Sequence, residues 1–592
     1  MASNKKKPKN FRKTMIKLLG YMMKDKFILI IATACAMVTP VFTVRATYLL
    51  KPAINDYIMP LVGAETVDLS DFIKVLAKMG MFYLLAAGTL LIQTKLMTKV
   101  CHDTINSIRC DLFEHMQTLP ISYFDTMPRG QIMSCYSSDV YTLSTMLKQS
   151  LPQLVNGVVS MVSIFASMLT LDLKLTAVVV VYLFIVVFVN KYIISNGAKY
   201  SKDTQESIRE MNGFIEEMVD GQELVKLYTR EDQLREQFAK ESDDLYETST
   251  KARLFTSIIF PISNGLSNTG FALVAIIGVY MVMKGSLDVG TVCAFIQFYR
   301  QFHIPVVQVS RQLGNVFSAL AGAERIFIML AEPSETNEGS IRLEGEKEEA
   351  GDIDLKEMVF GYVPEKQVLK GIDLNVKPGQ KIAFVGSSGA GKTTIASLIN
   401  RFYDVTGGSI TYDGTDIRQI DKYDLRKQIS IVLQDTHLFT GTIMENIRFG
   451  RLEATDEEVK AAAKMVNADF FIEHLPDKYD TYLESDGAML SDGQRQLLSI
   501  ARAAVSKAPI LIMDEATSLV DTRTELLIEQ GLRALMDHKT VFMIAHRLST
   551  VRNADIIVVL KNGLIAECGN HDELMALKGM YYDLNTGSYE LL

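Results

Sequence analysis

The stretch Gly386-Ser-Ser-Gly-Ala-Gly-Lys-Thr-Thr394 has the form G-x-x-x-x-G-K-[ST], a pattern suited to holding phosphate. Gly386, Gly389 and Gly391, with Ser387, Ser388 and Ala390 between them, let successive backbone N–H groups curl round phosphate oxygens. Lys392 can reach the β- and γ-phosphates, and the Thr393 hydroxyl can ligate Mg²⁺. Thr394 opens a helical stretch whose N-terminal dipole favours an anion. Further on, the apolar run ending at Met513 delivers Asp514 and Glu515. Asp514 is placed to hold the metal. Glu515 is placed beside the γ-phosphate, where a carboxylate can orient and deprotonate an attacking water. These residue types at this spacing imply metal-assisted cleavage of a phosphate anhydride.

The elements that must carry them are short β-rich runs: Lys381 to Val385, Ile429 to Leu433, Pro509 to Met513 and Thr540 to Ala545. They alternate with helical segments, which predicts a parallel sheet in an α/β domain. The first half of the chain differs. Its apolar stretches run over Phe27–Leu50, Phe72–Gln93, Leu154–Leu171, Leu175–Ile194, Ile258–Met283 and Thr291–Val309. Each is long enough, or nearly so, to cross about 30 Å of hydrocarbon at 1.5 Å per residue, so six membrane spans are expected.

Lys5, Lys6, Lys7, Lys9, Arg12 and Lys13 keep the N-terminus on the cytoplasmic side. By parity, two long polar excursions, about Lys95–Pro152 and Ser195–Thr256, are also cytoplasmic, while the outer links are short. The expected order is a basic N-terminus and interfacial helix (1–26), a membrane domain (27–332), an acidic linker (333–352) and an α/β domain (353–592).

Composition agrees with this division. The 592 residues exceed one ordinary domain, and 48% of them are hydrophobic. Mean hydropathy is +0.15. A net charge of -8 argues against a nucleic-acid partner, whose binding surface is basic. The six cysteines form no CxxC pair and read as unpaired thiols.

Leu490-Ser-Asp-Gly-Gln-Arg-Gln496, followed by Ser499-Ile-Ala-Arg-Ala503, resembles the signature motif of ATP-binding cassette (ABC) transporters. The resemblance implies roles for further residues. Tyr362 matches the aromatic that stacks on adenine, and Gln434 the glutamine that approaches the metal and the attacking water. Asp521 matches the D-loop aspartate, and His546 the histidine that senses the γ-phosphate. Ser491, Gly493 and Gln494 fall in the segment that caps ATP on the opposite cassette.

Tyr123-Phe-Asp-Thr-Met-Pro-Arg-Gly-Gln131 through Val140, and Tyr228 to Asp232, look like the cytoplasmic loops of exporter-type half-transporters. The implied architecture is an all-α six-helix exporter-type membrane domain followed by an α/β P-loop nucleotide-binding domain. The implied cofactors are ATP and Mg²⁺. The implied location is a bacterial plasma membrane, multi-pass, with the cassette in the cytoplasm.

The chain departs from the family pattern at Asp492, where a second glycine is usual, and over Leu483-Glu-Ser-Asp-Gly487, where a Glu-Arg-Gly is usual. An acid near a polyphosphate has the wrong sign for an anion site. With a single cassette the chain must pair with a second half-transporter. A heterodimer would confine the aspartate to one of two composite sites; a homodimer would place it in both.

Polar groups inside the spans, Arg45, Arg300, Asn264 and Asn268, are candidates for a substrate path. The leading expectation is ATP-driven export of small amphipathic compounds. The alternatives are an exporter-fold importer of siderophore-like solutes, or an ATP-gated channel or regulatory subunit.

Overall fold

The structure is a computed structural model that describes residues 11–61, 69–343, 351–363, 365–514, 522–544 and 551–586. By its internal contacts the chain divides into two compact units. One comprises Met1–Thr118 and Met127–Pro333; the other comprises Leu119–Thr126 and Ser334–Leu592.

The first unit is helical. It contains α1 (Phe11–Met22), α2 (Lys26–Tyr48) and α3 (Ser70–Thr118). The short helix α4 (Ile121–Thr126) belongs to the second unit. The first unit resumes at Met127 with helical segments from Arg129 that lead into α5 (Leu151–Leu171), followed by α6 (Leu173–Asp220), α7 (Glu231–Met283) and α8 (Val289–Met329). Helix is forced on such segments because lipid offers no partner to a backbone N–H or C=O. The hydroxyls in α2 obey the same rule: Thr33 and Thr39 each donate to the carbonyl four residues back at 2.8 Å, and Thr47 does so at 3.1 Å. Asp172 caps α6 by accepting the Leu175 N–H at 2.7 Å, and Asp288 caps α8 through the Thr291 N–H at 2.6 Å. The long helices α3, α6 and α7 run well past the apolar windows, so the polar excursions are continuations of spanning helices.

Among the described residues, five helices are long and apolar enough to cross a membrane. The sixth expected span lies in α8, a 41-residue helix that is not one of the five. The reason is its composition: Gln297, Arg300, Gln301, His303 and Gln308 fall inside the window expected to span. Length is ample; apolarity is diluted.

The second unit is α/β. Its smaller sheet has the order β2–β1–β4, from β1 (Ile353–Phe360), β2 (Leu369–Val376) and β4 (Gly407–Tyr412), and ends on the short strand Thr415–Asp416. The larger sheet uses β3 (Lys381–Val385), β5 (Ile429–Val432), β6 (Ile510–Asp514), β7 (Thr540–Ile544), β8 (Ile556–Lys561) and β9 (Leu564–Gly569). Among the described residues its order is β9–β8–β3–β7–β6–β5, parallel except for the β8–β9 pair. Its central strands are buried on both faces, as a sheet covered by helices requires: every residue of β7 is buried, as are Ile510 to Met513 of β6.

One core residue conflicts with its surroundings. The Lys539 Nζ is buried beside the start of β7 with no hydrogen-bond partner among the described residues. Burial lowers its pKa from 10.5 to about 8. Below about pH 8 the folded chain therefore holds a poorly solvated ammonium that the unfolded chain keeps in water. Between about 8 and 10.5 the unfolded state binds the extra proton, so stability rises with pH through that window. Lys539→Met is expected to stabilise the cassette by about 1–3 kcal/mol at neutral pH and by much less above about pH 10. Thermal unfolding of the solubilised chain at the two pH values measures the difference; an equal gain at both would refute the explanation.

Candidate nucleotide-binding site

Register in the larger sheet sets the geometry. Ile544 pairs with Phe384 on one side and with Asp514 on the other. Val432 pairs with Met513. The ends of β3, β5, β6 and β7 are therefore aligned, and the segments leaving them share one edge of a parallel sheet. Ligands bind beyond the carboxyl ends of strands in such sheets. Gly386 follows β3, Gln434 stands two residues beyond β5, and Asp514 ends β6. Glu515 and Asp521, which follow β6, and His546, which follows β7, lie outside the described residues.

The loop after β3 turns sharply. Gly391 has φ +106°, which strains any other residue, and a Cβ there would also push on the Leu369 side chain at 2.5 Å. Gly391 is the N-cap of α9 (Lys392–Ile399). The Lys392 ammonium is buried and donates to the carbonyl of Gly386 at 2.7 Å and of Ser387 at 3.1 Å. Its own cation thereby draws the loop into a curl. A cavity of about 580 Å³ opens over this loop. Ser388, Gly389, Gly391, Lys392, Thr393, Thr394 and Tyr362 all line it.

Tyr362 is half exposed; its hydroxyl lies 3.2 Å from the Thr394 hydroxyl. Its ring stands edge-on to Phe360 and Tyr403, with centroids 5.0 and 5.1 Å away. The Tyr403 hydroxyl in turn donates to Asp125 of α4 at 2.5 Å. Burial first, and then the Asp125 carboxylate, raise the pKa of that phenol well above the ordinary tyrosine range.

Six lining residues have no sequence motif to announce them: Lys366, Gln367, Val368, Lys370, Asn562 and Gly563. Asn562 and Gly563 form the β8–β9 turn, with φ +53° and +81°. An Asn-Gly pair between two strands is the only signal that could have placed them. Gly563 accepts the Lys370 N–H at 2.9 Å, which brings that turn against the start of β2. Lys366, Lys370 and Lys392 make the cavity cationic. Its charge and volume fit a nucleoside polyphosphate; Thr393 lines it, while Gln434 and Asp514, whose oxygens are also hard donors of the kind Mg²⁺ takes, are not among its lining residues.

Ser491, Gly493 and Gln494 do not line this cavity. They open α10 (Asp492–Val505) in a capping box: Ser491 Oγ accepts the Gln494 N–H at 3.3 Å, and Gln494 Oε1 accepts the Ser491 N–H at 3.0 Å. Asp492 is exposed in the first turn, where a carboxylate favours the helix dipole, and it pairs with Arg495. Its charge is thus partly offset within its own helix.

In the helical unit, Arg45, Arg300, Asn264 and Asn268 are all exposed. The Arg300 guanidinium lies 4.8 Å from the centroid of the Phe271 ring. Arg300 is not isolated. Gln297, Arg300, Ile304, Gln308, Arg311 and Asn315 are all exposed and recur every three or four residues. They form one face of α8, about 27 Å long, with a single apolar member. The opposite face is buried through Ala294, Phe295, Phe298 and Tyr299.

Comparison with known proteins agrees with both halves. The family model described as ABC transporter transmembrane region matches residues 27–306, and the one described as ABC transporter matches residues 369–518. An uncharacterized ABC transporter ATP-binding protein of Bacillus subtilis, YfiC, is 37% identical over 589 residues, covering 100% of this chain and 96% of that protein. A fatty acid ABC transporter ATP-binding/permease protein of Mycobacterium tuberculosis is 36% identical over 526 residues, or 89% and 83% of the two chains. An ATP-dependent lipid A-core flippase of Syntrophus aciditrophicus is 32% identical over 557 residues, or 94% and 91%. A membrane domain and a phosphate-binding cassette on one polypeptide, matched in that order and along its whole length, place this chain in the ABC transporter family, among its exporter-type half-transporters.

Proposed function

We propose that this chain is one half of a heterodimeric bacterial exporter that uses ATP to move amphipathic compounds, with a preference for those carrying an anionic group. The observation that carries the substrate reading is the polar face of α8. Arg300, inside the expected span, and Arg311, two residues beyond it, stand with no acid on an exposed stripe of α8, and within the bilayer an unpaired cation facing lipid would be costly. A water-filled or protein-lined path removes that cost, and an anionic head group would use it. Two of the relatives are named for a fatty acid and for lipid A-core, both amphiphiles.

In the same reading, Lys392 and the N–H groups of residues 386–394 hold the phosphates, while Tyr362 stacks on the base. Thr393, Gln434 and Asp514 would hold Mg²⁺, which when bound neutralises phosphate charge. Glu515 takes the proton of the attacking water, oriented with Gln434 and His546. Ser491, Gly493 and Gln494 reach the nucleotide on the partner cassette, and Asp521 serves nucleotide binding as the D-loop aspartate. Asp492 then weakens only the composite site that this chain's signature completes.

Inside-out vesicles test direction and substrate together. ATP-dependent accumulation of a fluorescent fatty-acid-like anion is expected. Arg300→Gln combined with Arg311→Gln should raise its KM about tenfold, in line with the loss of one charge-assisted contact, while a neutral analogue is unaffected. Accumulation only in right-side-out vesicles would indicate an importer, and dissipation of a gradient would indicate a channel; either result rejects export.

A further inference from the structure

We infer that the helical unit holds an acyl chain of an anionic phospholipid in a cavity between α1 and the spans, separate from the transport path. The cavity is about 210 Å³. That exceeds the ~150 Å³ that admits a benzene-sized apolar molecule. Leu19 of α1, Ala32 and Ala36 of α2, Gln93 and Met97 of α3, and Val155 of α5 form its walls. The lining is almost wholly apolar. Its one amide, Gln93, is engaged by Asn156, which donates to Gln93 Oε1 at 3.3 Å. An apolar hollow of this kind accepts hydrocarbon and rejects a polar head.

The depth is right for a lipid tail. Ala32 and Ala36 lie about 9 and 15 Å along α2 from Lys26, within the first half of a span. The mouth supplies the head-group specificity. Between Phe11 and Lys26 the chain carries Arg12, Lys13, Lys17, Lys24 and Lys26 against the single acid Asp25. Lys26 shares a helix face with Leu29 and Thr33, which also line the cavity, so a cation stands one turn from the hollow. Lys24 and Lys26 are both exposed. A basic amphipathic helix over an apolar slot matches the two ends of an anionic phospholipid from the cytoplasmic leaflet. The residues involved are distinct from the polar face of α8.

The test uses the intact dimer in nanodiscs of phosphatidylcholine with a trace of phosphatidylglycerol bearing a photoactivatable acyl chain. Adducts mapped by mass spectrometry are expected on α1 and the first half of α2. Ala32→Phe, which fills the hollow, should lower them about fivefold, and Lys24→Glu with Lys26→Glu about tenfold. Ala36→Val is the milder filling variant if Ala32→Phe does not assemble, and should lower adducts about twofold. Equal labelling by a phosphatidylcholine probe would overturn the proposal. So would labelling that filling leaves unchanged, or displacement of the probe by excess transported amphiphile. Because labelling is read without turnover, a failed transport assay does not affect the outcome.

Discussion

Glu515→Gln is expected to lower steady-state ATP turnover by about two orders of magnitude while ATP still binds. The register of the larger sheet supports the assignment. Asp514 pairs with Ile544, which pairs with Phe384 one residue short of the end of β3, so the residue after Asp514 leaves the same edge that the phosphate loop leaves. The amide keeps the size of the carboxylate and loses its proton affinity. Binding, which rests on Lys392 and the loop N–H groups, is therefore spared.

The heterodimer reading sharpens the expectation. The equivalent substitution in the partner should change turnover by no more than about twofold, because the site it serves already carries Asp492 of this chain. Asp492→Gly removes that acid and releases Arg495 from its ion pair, so it should tighten nucleotide capping at the weak site with little effect on the strong one. A symmetric homodimer instead predicts a marked rise in turnover. ATPase rates of this chain purified alone and with its partner, for wild type and each variant, decide between them. Full activity of this chain alone would end the heterodimer proposal.

Lys392→Ala should act earlier in the cycle, weakening ATP binding by about ten- to a hundredfold and abolishing turnover with it. Two losses combine. The cavity forfeits the cation closest to the phosphates, and the loop forfeits the donor that holds the carbonyls of Gly386 and Ser387. Lys392→Arg should not rescue, because the position is only 6% exposed and a planar fork does not replace a compact ammonium there. Titration with a fluorescent ATP analogue reads the affinity directly. Unchanged affinity in the alanine variant would remove Lys392 from the binding role.

Much of the cassette was legible because its signals are local. The strands at Lys381, Ile429, Ile510 and Thr540 fall within a residue or so of where apolar β-rich runs placed them. The helix after the loop begins at Lys392 rather than Thr394, since the left-handed Gly391 serves as its N-cap. What escaped depends on contacts distant in sequence. Lys366, Lys370 and Asn562 reach the cavity only because the β8–β9 turn packs on the start of β2, and nothing in their neighbours announces it. The last span was expected to end near Val309, but its helix runs on to Met329 with Pro305 inside it. The pairing of Asp492 with Arg495 is legible in their spacing of three, which sets both on one helix face, whereas the signature motif alone shows only the acid.

The assignment of Leu119–Thr126 to the cassette unit has a mechanical consequence. The polypeptide passes between the two units three times, at Thr118–Leu119, at Thr126–Met127 and at Pro333–Ser334. The returning loop is secured inside the cassette unit by the Tyr403–Asp125 bond, and Tyr403 abuts the ring of Tyr362. The wall of the cavity at Tyr362 is thereby joined, through one ring contact and one hydrogen bond inside the cassette unit, to a segment whose two flanks belong by sequence to the helical unit.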